Sequence, residues 1–275
     1  MREGIKIREI KNALRLNKML AEAGMKTTGP TPSYIVGEGD WGTYDSALKD
    51  FGVVFYRVLP KDFVNPLKKK KLETEYDTPD DPEIFEEYIE QTLSKEKKQD
   101  LTAVEFGGPG SNLFSGFRKN FFKKTAGVCL KDIRPEGQKE TDKKNKHSVI
   151  VGDIMDPINK ETLTKVTQTL GAKKIDLIIS KMEGPLDYIY KNPAILDRII
   201  RNWYNMLNEN GLMFIQFQTL LKNLPDDKPL VEKWAKAIKD RFPEVDIQVS
   251  KEAIRLHKKA GAPESLRPAT QLFRE

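Results

Sequence analysis

The chain has 275 residues, 38% hydrophobic and 32% charged, a globular composition long enough for a full buried core and neither disordered nor membranous. No apolar run approaches the roughly 20 residues that span a bilayer, and the charged start MREGIKIREIKNALRLNKML argues against a presequence. The net charge of +6 comes from 47 basic against 41 acidic residues, largely interspersed, so it permits an anionic partner but reads first as a mixed, solvated surface. The single cysteine, Cys129, excludes an internal disulfide and fits a reducing, cytoplasmic location.

Residues 5–24 have helical spacing, with Ile7, Ile10, Leu14 and Ala21 on one face and Gly24 as a stop. Tyr34 to Val36 and Gly52 to Leu59 read as short strands around GEGDWG, in which Gly37, Gly39 and Gly42 satisfy G-x-G-x-x-G. Glu38 and Asp40 would repel a pyrophosphate there, so a mobile loop or lid is the better reading. The polar, proline-punctuated stretch from Pro60 to Pro79, including the basic run Lys68 to Lys71, marks a linker or excursion. The expected division is therefore an N-terminal extension or lid over residues 1–80 and a main domain over 81–275.

Asp81 before Pro82 is a good helix start, and Phe85, Ile89 and Leu93 recur at helical spacing up to about Lys97. Next comes LTAVEFGGPGSNLFSGF, Leu101 to Phe117: an apolar run ending in a carboxylate, a glycine cluster, then a helix-like segment. Strand, tight turn and helix in that order place backbone N–H groups close to a nucleotide-like ligand. Gly127 to Leu130 reads as a strand, Arg134 to Lys146 as a charged loop, and His147 to Val151 as a strand ending at Gly152-Asp153. A helix over Asn159 to Leu170 is closed by Gly171. Ile175 to Ser180 is a strand buried on both faces. Pro193 opens a helix with Leu196, Ile199, Ile200, Trp203 and Leu207 in one stripe, and Leu212 to Phe217 is again a strand. Leu230, Trp234 and Ile238 mark another helix, and Val245 to Val249 with Ala253 to His257 a closing hairpin. Alternation of this kind predicts an α/β fold: a Rossmann-like, mostly parallel seven-stranded sheet, helices on both faces, a terminal antiparallel β-hairpin and an N-terminal α+β extension.

A βαβ series that opens on an acidic-glycine turn and ends in a hairpin resembles the class I S-adenosylmethionine-dependent methyltransferases, over roughly residues 82–260. The resemblance implies S-adenosylmethionine as cofactor, with Glu105, Gly107, Gly108, Gly110, Ser111 and Asn112 at its methionine end, although EFGGPG is one residue shorter than the usual acid-x-Gly-x-Gly-x-Gly. Asp132 is the candidate acceptor for the ribose hydroxyls, because an ionised acid faces two donors there. It lies two or three residues later than the family's position, near Cys129, and its other reading is a surface turn residue. Asp153 in VGDI matches the adenine-contacting motif, with Ile154 covering the ring, and Ser180 completes the cofactor set.

The stretch IDLIISKMEGPLDYI runs off the fourth strand to where methyl acceptors sit. It lacks the Asn/Asp-Pro-Pro-aromatic signature of base-amine methylation, and Cys129 is misplaced for cytosine C5 chemistry. GDIMDP and DLIIS also resemble the ribosomal RNA 2′-O-methyltransferases, but two positions of that family's Lys-Asp-Lys-Glu tetrad fall on Lys181 and Gln216. Lys181 and Glu183 are the candidates to orient or deprotonate an acceptor, and Tyr188 and Tyr190 to line the pocket; solvent-facing or packing roles are the other readings. The acceptor, whether small molecule, protein or RNA, and the oligomeric state stay open. No membrane partner and no metal site are expected, given one cysteine and no clustered His/Asp pattern. A non-catalytic cofactor-binding or interaction protein with this fold is the second reading. An NAD-dependent oxidoreductase is the third, weakened because GGPG lacks the full dinucleotide fingerprint.

Overall fold

The structure is a computed structural model that describes residues 51, 53–54, 83–93, 100–132, 134–153, 161–182, 193–217, 228–250 and 253–266. The N-terminal helix, the strand at 34–36 and the glycine loop at 37–42 expected from sequence lie outside these residues.

Seven strands form one sheet: β3 (Thr102–Phe106), β4 (Lys124–Cys129), β5 (His147–Val151), β6 (Ile175–Met182), β7 (Leu207–Phe217), β8 (Val245–Val249) and β9 (Ala253–Lys258). Their order is β5-β4-β3-β6-β7-β9-β8. The first five in chain order pair parallel, while β9 runs antiparallel to both β7 and β8. The hairpin is thus the expected one, but its second strand takes the inner place beside β7. A separate parallel pair joins β1 (Val53–Val54) to β2 (Glu83–Ile84).

The parallel strands need crossovers, and the apolar stripes of the helices supply the covering layers. On one face α4 (Glu161–Leu170), α5 (Pro193–Met206) and α6 (Lys228–Arg241) bury Val166, Leu170, Ile199, Ile200, Trp203, Trp234 and Ile238 against Val104, Phe106, Ile178, Met213 and Ile215. Phe106 stacks on Trp203 with ring centroids 4.7 Å apart. On the other face α1 (Phe85–Thr92) and α2 (Ser111–Ser115) bury Phe85, Ile89, Leu113 and Phe114 with Phe117, Phe121 and Phe122 against Ala103, Leu177, Leu212 and Phe214. α3 (Glu136–Lys144) joins this face through a bond from Ser111 to Asp142. At the amino edge the buried Asp176 carboxylate accepts from Thr102 N (2.8 Å) and Asn208 Nδ2 (2.6 Å), tying β3, β6 and β7 together.

Four boundaries differ from the sequence reading. Glu83 and Ile84 are strand, since they pair with Val53 and Val54, so α1 begins at Phe85 and not at Pro82. The segment expected as a charged loop contains α3. Pro135 precedes it, Glu136 lies in its first turn and Lys143 and Lys144 in its last, but its only buried residue is Asp142, so no apolar stripe announces it. β4 begins at Lys124, three residues before Gly127, because its polar start still pairs with β3 and β5. β7 begins at Leu207, where pairing with Ile175 precedes a register shift, and so takes in Gly211. The predicted stop at Gly171 holds, with φ 66°.

Candidate cofactor site

β3 pairs with β4 on one side and β6 on the other, and successive crossovers leave in opposite directions from this point. A crevice opens at such a switch, outside the carboxyl ends of the strands, where ligands of open α/β sheets bind. The chain places Glu105 to Gly110 at the end of β3 and Ser180 near the end of β6, with Phe106 and Ser180 opposite each other in register.

The glycine turn is held down on β4. Gly107 N–H donates to Val128 O at 3.0 Å, and a Cβ on Gly127 would lie 1.9 Å from Pro109 O. Gly107 (φ 98°) and Gly110 (φ 71°) occupy the left-handed region that favours glycine. The Glu105 carboxylate is buried under the turn, 2.8 Å and 2.9 Å from where a Gly108 Cβ would stand. The carboxylate and the turn therefore form one packed unit.

A polar network fixes that unit from the side. His147, at the start of β5, bridges Thr125 Oγ1 (2.8 Å at Nδ1) and Pro109 O (2.7 Å at Nε2). The carbonyl can only accept, so Nε2 carries the proton and Nδ1 accepts from the Thr125 hydroxyl. Burial holds the His147 pKa below its ordinary value, with the Pro109 bond opposing. Ser111 Oγ donates to Asp142 Oδ2 at 2.6 Å, and Gln138 Nε2 donates to Asp142 Oδ1 at 2.7 Å. Arg134 bonds Asp142 as well, and grips Asp132 through Nε (3.0 Å) and Nη2 (2.9 Å).

This arrangement locates the sequence-derived candidates. Glu105, Gly107, Gly108, Gly110 and Ser111 come together at the end of β3, with the Ser111 hydroxyl committed to Asp142. Asn112 lies in α2, its side chain not among the described ones. Asp132 sits three residues beyond the end of β4, its carboxylate engaged by Arg134, whose hydrogen bond holds its pKa below the usual carboxylate range. Asp153 follows β5 at the same carboxyl edge, half-buried. Ser180 is fully buried, and its Oγ has no hydrogen-bond partner among the described residues. Lys181 extends β6 opposite the buried Gln216 of β7. Ile154, Glu183, Tyr188 and Tyr190 lie outside the described residues.

Three supports carry no sequence signal: Arg134 and Asp142 flank and occupy α3, which has no apolar stripe, and His147 opens a strand whose periodicity does not show its bond to Pro109. Also unannounced in the sequence are Leu130 and Val151, which are 68% and 52% exposed where β4 and β5 end. Cys129, paired with Val151, donates from Sγ to Lys131 O (3.3 Å), and burial raises its pKa to about 11.

Numbered from β3, the sheet reads 3-2-1-4-5-7-6 with the seventh strand antiparallel between the fifth and sixth, which is the class I methyltransferase fold. No family model matches the chain, and no curated protein matches it. Among solved structures it is similar to the MycE methyltransferase of the mycinamycin biosynthetic pathway, in complex with Mg and SAH, at 15% identity and TM-score 0.44 over 69% of this chain and 54% of that one. It thus spans about half the length of that protein. It is also similar to the N-methyltransferase NodS from Bradyrhizobium japonicum (12% identity, TM-score 0.38, 71% of this chain, 98% of that one). A third is the human methyltransferase-like protein 13 in complex with SAH (12% identity, TM-score 0.39, 68% and 85%).

Proposed function

We propose that the chain is an S-adenosylmethionine-dependent methyltransferase. The observation that carries this reading is the glycine turn at the switch point of a sheet with an inserted antiparallel strand. The same insertion weighs against an NAD-dependent oxidoreductase, whose dinucleotide sheet has the order 3-2-1-4-5-6.

The residues present fit the cofactor. The buried Glu105 carboxylate suits the ammonium of the methionine moiety. Leu130 and Val151 offer exposed apolar surface to an adenine ring at the ends of β4 and β5, and Asp153 an acceptor for its amino group. With Asp132 held by Arg134, ribose contacts fall to the strand end near Cys129, and Asp132 becomes the support of that loop. Bound there, S-adenosylmethionine supplies a methyl group on a sulfonium, already activated for in-line displacement. The protein's part is to align an acceptor, exclude water and take up a proton where one is lost. The role of orienting or deprotonating the acceptor falls to Lys181, opposite Gln216 in strand register, and to Glu183 two residues on in sequence.

A lid role for residues 1–80 is part of this proposal. Phe51, a described residue of that segment, packs edge-on against Phe214 on the α1 side of the sheet with centroids 6.1 Å apart. A non-catalytic cofactor-binding protein is the second reading, favoured by the tetrad positions being Lys181 and Gln216. Calorimetry with S-adenosylmethionine, S-adenosylhomocysteine and NAD tests the proposal. Binding of both sulfur compounds and not NAD is expected; NAD alone overturns it. Sulfur-cofactor binding with no methyl transfer across RNA, protein and small-molecule acceptors supports the second reading.

A further inference from the structure

The segment that leaves the amino-terminal edge of the sheet along β4 and returns to it through α3, opposite the candidate cofactor crevice, carries a concentration of charge. Residues 118–146 hold ten basic and four acidic residues, a net of +6 that equals the formal charge of the whole chain. The rest of the sequence is balanced. Within this segment Arg118 pairs with Glu86 and Glu90, Lys123 with Asp100, Lys139 with Glu136, and Arg134 with Asp132 and Asp142. Lys124, Lys143, Lys144 and Lys146 have no carboxylate within ion-pair distance among the described residues.

Three of these, Lys124, Lys143 and Lys146, line one open cavity of about 380 Å³ between the ends of α3 and α4, with Ser148 and Thr169 supplying hydroxyls and no carboxylate in its wall. The carboxyl ends of two helices meet here and lysines offset them, as Lys124 does by donating to Thr169 O at 3.4 Å. Each helix end carries roughly half a negative charge. Two ends therefore absorb about one of the three ammonium charges, leaving a surplus of about two on a concave surface. The left-handed Lys146 (φ 57°) closes the turn between α3 and β5 and keeps its side chain in this group.

We propose that this cavity is a docking site for the phosphate backbone of a nucleic acid, separate from the cofactor crevice. A single phosphate does not need this volume, whereas consecutive phosphates of a strand can each meet an ammonium with the hydroxyls as further donors. The cavity opens at the Lys124 end of β4 and the crevice at its Cys129 end, about 16 Å apart along the strand. His147 lines the cavity and also holds Pro109 of the glycine turn, so a strand docked in the cavity lies on the far side of that turn's support.

The test is fluorescence anisotropy of the full chain with a labelled oligouridylate RNA of about 20 nucleotides, and with DNA of equivalent sequence, across a salt series. The triple variant Lys124→Gln/Lys143→Gln/Lys146→Asn removes the charges, Asn being tolerated in the left-handed region. Wild type is expected to bind both oligonucleotides within a few-fold. In the variant the slope of log K against log salt should fall in magnitude by about 2, at roughly 0.7 per lost phosphate contact, with at least about tenfold weaker binding at low salt. Lys124→Arg/Lys143→Arg should retain binding, and unchanged urea unfolding of the triple variant separates charge loss from misfolding. If the triple variant is unfolded, Lys143→Gln alone should lower the slope by about 0.7. No binding by wild type at low salt, equal binding by the variants that remove charge, binding of RNA with no binding of DNA, or capture of phosphatidylserine vesicles without either oligonucleotide would each overturn the proposal.

Discussion

Replacing Gly127 by alanine tests the packing of the glycine turn on β4. The new Cβ would stand 1.9 Å from Pro109 O, 2.1 Å from Pro109 C and 2.8 Å from Gly108 O, all backbone atoms. No side-chain rotation relieves this, so the turn must retreat by more than about 1 Å to reach ordinary contact. That movement breaks the 2.7 Å bond from His147 Nε2 to Pro109 O and leaves a buried donor unsatisfied, costing about 1–3 kcal/mol. Overpacking adds about 1–3 kcal/mol. The sum, about 2–6 kcal/mol, lowers Tm by roughly 4–24 °C for a domain of this size. Gly137→Ala is the matched control. It lies in α3 with nothing within 4 Å of a Cβ, and should gain about 0.5–1 kcal/mol from helix propensity. Urea unfolding followed by circular dichroism, together with S-adenosylhomocysteine calorimetry, reads both effects. Wild-type stability and affinity in Gly127→Ala would refute the argument that the turn rests on β4.

Asp142→Asn should cost about 2–4 kcal/mol, since the carboxylate is 2% exposed and accepts from Ser111, Gln138 and Arg134; an unchanged urea midpoint contradicts the network's role. Burial depresses the pKa of both histidines, His147 and His257, below their ordinary 6.5. The unfolded chain therefore binds protons first as pH falls, so stability is fully present above about 6.5 and declines below it. The urea midpoint at pH ~5.5 should lie under that at ~7.5, by less in His147→Gln, and a flat profile counts against the buried neutral tautomer. Cys129, with its pKa raised to about 11, should react with iodoacetamide on the order of a hundredfold more slowly than free cysteine at pH ~8. Asp153→Ala should weaken S-adenosylmethionine binding by about 1–3 kcal/mol, checked by calorimetry.

Much of the sheet was legible because its strands are apolar on both faces and its helices carry stripes. Ile175 to Ser180 and the row Ile199, Ile200 and Trp203 give periodicities that only one arrangement buries. α3 was not legible for the opposite reason: a helix whose one buried side chain is a carboxylate has no hydrophobic period, and its stability comes from its ends and from Arg134 and Ser111. The glycine turn was readable as a turn, but not the closeness of Pro109 to Gly127, a contact between segments 18 positions apart in sequence. Asp132 shows the limit most plainly. Its residue type suits a ribose, yet Arg134, two positions on, meets it first, and a local pair of that kind is set by loop geometry and not by spacing.

The carboxyl ends of β3 and β6 are proposed to seat a sulfonium cofactor. A crystal structure of the full chain with S-adenosylhomocysteine tests it most directly. Density for the ligand is expected over the Gly107 to Gly110 turn, its amino group toward Glu105 and its adenine between Leu130, Val151 and Asp153. Ligand density elsewhere on the molecule, or a turn left bare at saturating ligand, would contradict it.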